Sequence, residues 1–255
     1  MRIPRVYLPV PLARDAELEL DERARHYVLQ VLRLRAGAPL IIFNGEGAEH
    51  AARLATVEKR RATVQLEEAR DPLRESCLRI HLGLGISRGE RMDYAIQKAV
   101  ELGVAEITPL LSRRCVVRLD ARRSARRREH WQGIVIGACE QCGRNRLPEL
   151  HPPRAFDEWV QSPESGQALI LDPRASRTLP AIRPAPTRLR LAIGPEGGFA
   201  DEEMEMARAG GFSAVRFGPR ILRTETAVVA SLAAAQTLWG DLANDCSDSP
   251  PSGPE

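Results

Sequence analysis

Two glycine loops hold the residue types and spacings that suggest chemistry. Gly194-Pro195-Glu196-Gly197-Gly198-Phe199 follows an apolar run at 189–193 and precedes a helix-forming run at 201–209. Gly218-Pro219-Arg220-Ile221-Leu222-Arg223-Thr224-Glu225-Thr226 repeats the arrangement between apolar residues 214–217 and a second helix-forming run at 227–239. A glycine loop at a strand end lets backbone approach a ligand closely, and that edge of an α/β sheet is where ligands collect. Two such loops near each other in sequence predict one pocket.

The loops also restrict the ligand. Asp201, Glu202 and Glu203 open the helix behind the first loop, which suits its dipole but places negative charge where a phosphate would sit. Neither loop has the G-x-x-x-x-G-K-[ST] or G-x-G-x-x-G spacing of phosphate binders, so a neutral or cationic ligand fits better than ATP or NAD. Spacing alone is equally served by a Pro-Glu-Gly turn joining strand to helix.

The elements that must position these loops follow a strand–helix rhythm. Strands are expected at 77–84, 106–111, 167–171, 188–193 and 214–217, with helices between several of them, which argues for a mostly parallel sheet covered on both faces. A helix at 91–102 buries Met92, Ile96 and Val100 and stops at Gly103. Gly83-Leu84-Gly85-Ile86-Ser87-Arg88-Gly89 has the wrong glycine spacing for a dinucleotide loop. Residues 1–70 read differently, as a small β-rich unit with strands at 40–43, 51–57 and 63–66 and one helix at 21–32. Residues 71–74, with Pro72, form a linker to a second unit at 75–243, and the polar, Pro- and Ser-rich residues 244–255 read as a disordered tail.

The sequence carries a formal net charge of +3, so a nucleic-acid partner has to be argued from charge distribution. Eight arginines lie between Arg113 and Arg128. Arg122, Arg123, Arg126 and Arg127 share one helical face, an arrangement that repels itself unless an anion meets it. No apolar run reaches the length of a membrane span and no signal-peptide core is present, which points to the cytoplasm. Of the five cysteines, Cys139 and Cys142 form a lone C-x-x-C without a second pair for zinc, and no disulfide framework is expected. The five histidines are scattered, so no metal is expected.

The two loops, G-P-E-G-G-F and F-G-P-R-I-L-R-T-E-T-A, resemble the signature segments of the ribosomal small-subunit methyltransferase E family, within the SPOUT superfamily of knotted methyltransferases. The similarity extends to residues 1–7, 97–104 and 140–144 and stops near Asp241. Cys142 departs from the Ser or other small residue expected there.

The resemblance implies an N-terminal PUA-like β-barrel at 1–70 and a SPOUT-type α/β domain at 75–243 with a trefoil knot. It implies S-adenosylmethionine as cofactor, held by Leu171, Ile193, Gly194, Pro195, Glu196, Gly197, Phe217, Ile221, Leu222 and Thr226. It further implies methylation of ring nitrogen N3 of one uridine in 16S rRNA of the small ribosomal subunit, by a homodimer. Arg223 and Arg220 then become candidates to stabilise charge on the deprotonating base. Glu225 becomes the candidate proton acceptor or arginine holder, with helix capping as its other use. Arg2, Arg5, Arg33, Arg88, Arg114, Arg122, Arg126, Gln141 and Arg144 form the expected RNA-binding set. Residues 140–144 lie either across the dimer contact or against the flipped base. Two other classes stay open: a non-catalytic RNA-binding assembly factor on the same fold, and a small-molecule enzyme with an adenine-nucleotide cofactor.

Overall fold

The computed structural model describes residues 3–115 and 121–243. Arg2 and the expected tail at 244–255 lie outside the described residues. The chain divides into two compact units, one of Met1–Glu75 with Ile136–Leu147 and one of Ser76–Val135 with Pro148–Glu255.

In the first unit β1 (Arg5–Tyr7), β2 (Glu17–Glu19), β3 (Pro39–Phe43), β4 (Glu49–Val57) and β5 (Ala62–Arg70) form a five-stranded sheet in the order β1-β3-β4-β5-β2. Period-two alternation puts Leu40 and Ile42, Ala52 and Leu54, and Val64 and Leu66 into one core with Val6, Leu20, Ala24 and Val28. The expected helix at 21–32 splits. α1 (Glu22–His26) is capped by Asp21, whose Oδ1 accepts from the Ala24 amide at 2.7 Å, and a π-helical turn (Tyr27–Val31) follows.

The second unit is built on β6 (Arg79–Gly85), β7 (Glu106–Leu111), β8 (Glu149–Leu150), β9 (Arg154–Ala155), β10 (Gln167–Leu171), β11 (Arg188–Ile193) and β12 (Ser213–Val215). Every pairing is parallel, in the order β12-β10-β11-β6-β7-β8 with β9 also on β7. Its helices are α2 (Glu90–Glu101), α3 (Ala121–Cys142), α4 (Phe156–Gln161), α5 (Asp201–Ala209) and α6 (Thr224–Trp239). The last turns of α3 belong to the first unit. Phe156, Trp159 and Val160 of α4 and Met204 and Ala207 of α5 pack over Leu110, Ile170 and Ala192 of the sheet. α2 and α6 pack on each other, and α6 also contacts β11. Buried Gln236 of α6 donates to the Leu102 carbonyl at 2.9 Å and accepts from the Ser76 hydroxyl at 2.7 Å.

The glycines at 83 and 85 have packing roles, in agreement with their wrong spacing for a nucleotide. A Cβ at Gly83 would lie 2.5 Å from the Trp159 ring, and one at Gly85 would collide with Pro195 N and Cδ. Cys77 is disulfide-bonded, whereas Cys115, Cys139 and Cys142 are free thiols. Cys139 is a buried thiol, and burial pushes its pKa up to about 12, which leaves it inert.

Candidate active site

β10, β11 and β12 run parallel and end side by side at Leu171, Ile193 and Val215, so the segments that follow them gather at one edge of the sheet. There they enclose a cavity of about 340 Å³. Leu171, Ile193, Phe217, Ile221 and Leu222 line it as expected from sequence, and Gly194, Pro195 and Glu196 bring the first loop's backbone to it. Gly197 and Thr226 do not line it. Arg91 of α2 and Val215 do line it, although they lie outside the loops singled out from sequence.

The first loop is a tight turn. The Gly198 amide donates to the Pro195 carbonyl at 2.8 Å, and Gly198 takes φ +66°, which its missing Cβ permits. A Cβ at Gly194 would lie 3.0 Å from Gly198 Cα, so the turn closes only over a bare backbone. Three anchors hold it: Gly85 beneath Pro195, the Thr224 hydroxyl donating to the Gly194 carbonyl at 3.2 Å, and the Arg114 guanidinium donating to the Gly197 carbonyl at 3.0 Å. Arg114, expected among the RNA contacts, is thus exposed but tied to this loop.

The helix behind the loop offers little to an anion. Buried Glu203 turns back and accepts from the Ala200 amide at 2.7 Å and the Arg113 amide at 2.8 Å, placing a carboxylate at the helix start where a phosphate would otherwise sit. Glu196 adds negative charge to the cavity. Burial alone would raise its pKa, but hydrogen bonds from its own and the Arg88 amide and from Arg91 outweigh that and hold it below its ordinary value. The Arg91 guanidinium lies 3.2 Å away.

Arg220 and Arg223 both line the cavity on the exposed second loop, and among the described residues neither has a carboxylate partner. Of the two uses read for Glu225, its position fits the helix start and not the cavity. α6 begins at Thr224, which places Glu225 in its first turn and off the cavity wall, with Oε2 buried and without a hydrogen-bond partner among the described residues.

The expected RNA contacts separate into two groups. Arg5 is 4% exposed, ion-paired with Glu49, hydrogen-bonded to Asn145 and stacked 4.9 Å from the Phe43 centroid. Arg144 is 6% exposed and lies 2.6 Å from Glu75. Both guanidiniums are committed inside the first unit and present nothing to a phosphate, which corrects the reading of these two residues. Glu140 is equally internal and accepts from the Tyr7 amide and from Arg23, each at 3.0 Å. Arg33, Arg88, Arg122, Arg126 and Gln141 are exposed.

Family models agree with this geometry. An RNA methyltransferase domain matches residues 74–236, and an RNA methyltransferase PUA domain matches residues 20–67. A ribosomal RNA small subunit methyltransferase E from Buchnera aphidicola (Schizaphis graminum) is 37% identical over 242 residues, covering 94% of this chain and 98% of the relative. The chain belongs to the ribosomal RNA small subunit methyltransferase E family. The Bacillus subtilis member is 28% identical over 85% of this chain and 90% of its own. Among solved structures, a Neisseria gonorrhoeae member bound to S-adenosylmethionine superposes with TM-score 0.89 at 41% identity, covering 94% of this chain and 100% of that one. A Legionella pneumophila structure, described as a methyltransferase complexed with the same cofactor, gives TM-score 0.93 at 42% identity over 95% and 100%.

Proposed function

We propose that this chain transfers a methyl group from S-adenosylmethionine to 16S rRNA of the small ribosomal subunit, at ring nitrogen N3 of a uridine. The observation that carries the reading is the cavity at the ends of β10, β11 and β12. Its apolar walls and main-chain lining suit an adenine-bearing sulfur compound, and Glu196, held ionised, offers negative charge to a sulfonium. Leu171, Ile193, Phe217 and Leu222 would flank the adenine and ribose, with backbone groups around Gly194 and Leu222 as polar partners. The bound donor supplies an electrophilic methyl on a positively charged sulfur.

The chain has three tasks in this reading. It aligns the base nitrogen with the methyl group, favours loss of the N3 proton, and stabilises the charge that spreads to the neighbouring carbonyl oxygens. Arg220 and Arg223, at the cavity without carboxylate partners, supply that stabilisation. The N3 proton passes to water at the exposed rim, and a bond forms from N3 to the methyl carbon as the carbon–sulfur bond breaks. Glu225 serves α6 through its dipole rather than the base.

Two further parts of the reading concern assembly. Half-open apolar residues on α6 (Val229, Ala230, Ala233) and the exposed Tyr94 of α2 and Leu238 of α6 support pairing of two copies through this unit. The order β12-β10-β11-β6, with Thr224 tied to Gly194 and Gln236 to Leu102, supports the trefoil knot. Among the described residues no helix is long and apolar enough to cross a membrane, and the proposed setting is the cytoplasm, with the ribosome. The test is to add the purified chain and S-adenosylmethionine to small subunits from a strain lacking this gene, then analyse nucleosides by mass spectrometry. Appearance of 3-methyluridine in 16S rRNA is expected; its absence removes the reading.

A further inference from the structure

The opposite edge of the same sheet holds a second cluster. In-register parallel pairing puts Arg190, His81, Glu106 and Glu149 side by side on β11, β6, β7 and β8, so all four leave one face of the sheet. His151 and Thr108 lie two residues further along and share that face. Two histidines that look scattered in sequence, 70 positions apart, meet there with ring centroids separated by 5.3 Å.

We propose that His81, Glu106 and His151 form a zinc(II) site that clamps β6, β7 and the segment after β8 at the amino-terminal edge of the sheet. Three observations carry it. The first is convergence: the three ligand atoms lie within 4.8 Å of one another, with His151 Nε2 to Glu106 Oε2 at 3.1 Å and His81 Nδ1 to the same oxygen at 3.8 Å. Ligands about 2.1 Å from a tetrahedral zinc stand about 3.4 Å apart, so small side-chain movements close the site.

The second observation is support behind both rings. His81 Nε2 lies 2.8 Å from the Thr108 hydroxyl, and His151 Nδ1 lies 3.4 Å from Glu149 Oε1. Each imidazole therefore has an acceptor for the proton on the nitrogen facing away from the metal, an arrangement that orients ligating histidines. His81 is further fixed edge-on against Trp159; binding through Nδ1 would replace its 2.9 Å contact with Glu164 Oε2, leaving that carboxylate beside the metal, and would give up the 3.4 Å contact from the indole N–H.

The third is access. A polar cavity of about 310 Å³, lined by Arg79, His81, Glu106 and Glu164, leaves room for a water as fourth ligand. Three arginines line the same cavity, and Arg188 among them is exposed and free to turn to solvent. Arg79 is exposed and can leave Glu106 for solvent, while Arg190 stays with Glu164 at 3.1 Å, held by the carbonyls of Ser162 and Trp159. Two histidines and one carboxylate with an open position form a donor set that zinc accepts.

The test uses tag-free full-length chain titrated with zinc by calorimetry and with cobalt(II) by visible absorption. One equivalent should bind and give tetrahedral cobalt bands without thiolate charge transfer, and zinc should raise the melting temperature. His151→Ala and Glu106→Gln should each weaken binding at least tenfold and remove the thermal shift. Glu149→Gln, an exposed change that spares folding, should weaken it roughly tenfold through the His151 ring. Circular dichroism and S-adenosylmethionine binding check that each variant is folded. The proposal is overturned by no uptake, by uptake unchanged in both ligand variants, or by a thiolate band that assigns the ion to cysteine.

Discussion

Arg5 of the first unit sits in a closed shell of carboxylate, amide and carbonyl oxygens, whereas Arg223 of the second stands at a cavity with no carboxylate beside it among the described residues. Both come from segments similar to the same family, and both are arginines that sequence reading assigns to function. The difference lies in what surrounds them. A buried guanidinium facing Glu49 is part of the fold, because removing it strands a charge in the interior. One left unmatched on an exposed loop keeps its charge for a ligand. Arg144, matched by Glu75, belongs with Arg5; Arg220 belongs with Arg223.

Variants can break this contrast. Arg5→Ala should destabilise the protein by up to about 3 kcal/mol, measured by urea unfolding, since Glu49 loses its buried partner and keeps only the more exposed Arg74 at 3.3 Å. A loss of RNA affinity at unchanged stability would instead return Arg5 to the RNA surface. Arg223→Ala should leave the melting temperature and donor affinity nearly unchanged while turnover falls about 10²–10³-fold, the size expected for removing a group that stabilises developing charge. Unchanged single-turnover rates would take Arg223 off the catalytic list.

The face of α3 tests a third situation, in which arginines stand next to one another in solvent. Replacing Arg122, Arg123, Arg126 and Arg127 with Glu should weaken RNA binding and flatten the slope of affinity against salt. An unchanged slope would make that face a solvated surface. The smallest effect is a control: Gly133 in α3 has open space where a Cβ would go, so Gly133→Ala should stabilise by about 0.5–1 kcal/mol and leave turnover alone.

The sequence made the parallel sheet and the glycine loops legible because each has a local cause. Residues 106–111, 167–171 and 188–193 are apolar runs of strand length, and they form β7, β10 and β11 at those positions. β8 and β9, at two residues each, are too short to leave a pattern, and the six-residue α4 is little longer. The inclusion of Ile136–Leu147 in the first unit left no local mark, because it is made by contacts such as Arg5 to Asn145 across 140 positions. The same distance blindness put Arg5 and Arg144 on the surface and left His81 and His151 apart. The choice between the two uses of Glu225 was hidden for a different reason: the helix starts three residues earlier than the apolar run announces, at Thr224, and carries the carboxylate off the cavity wall.

The account's central claim is that a bare main-chain turn, Gly194 to Gly198, makes room for the methyl donor. Isothermal titration of S-adenosylmethionine into the wild type and into Gly85→Val tests it most directly, because a side chain at position 85 must displace Pro195 without entering the cavity. The account predicts binding in the wild type that ATP does not compete away, and at least a hundredfold loss in a Gly85→Val protein whose circular dichroism is unchanged. Equal affinity in the two proteins, or displacement of the donor by ATP, would contradict it.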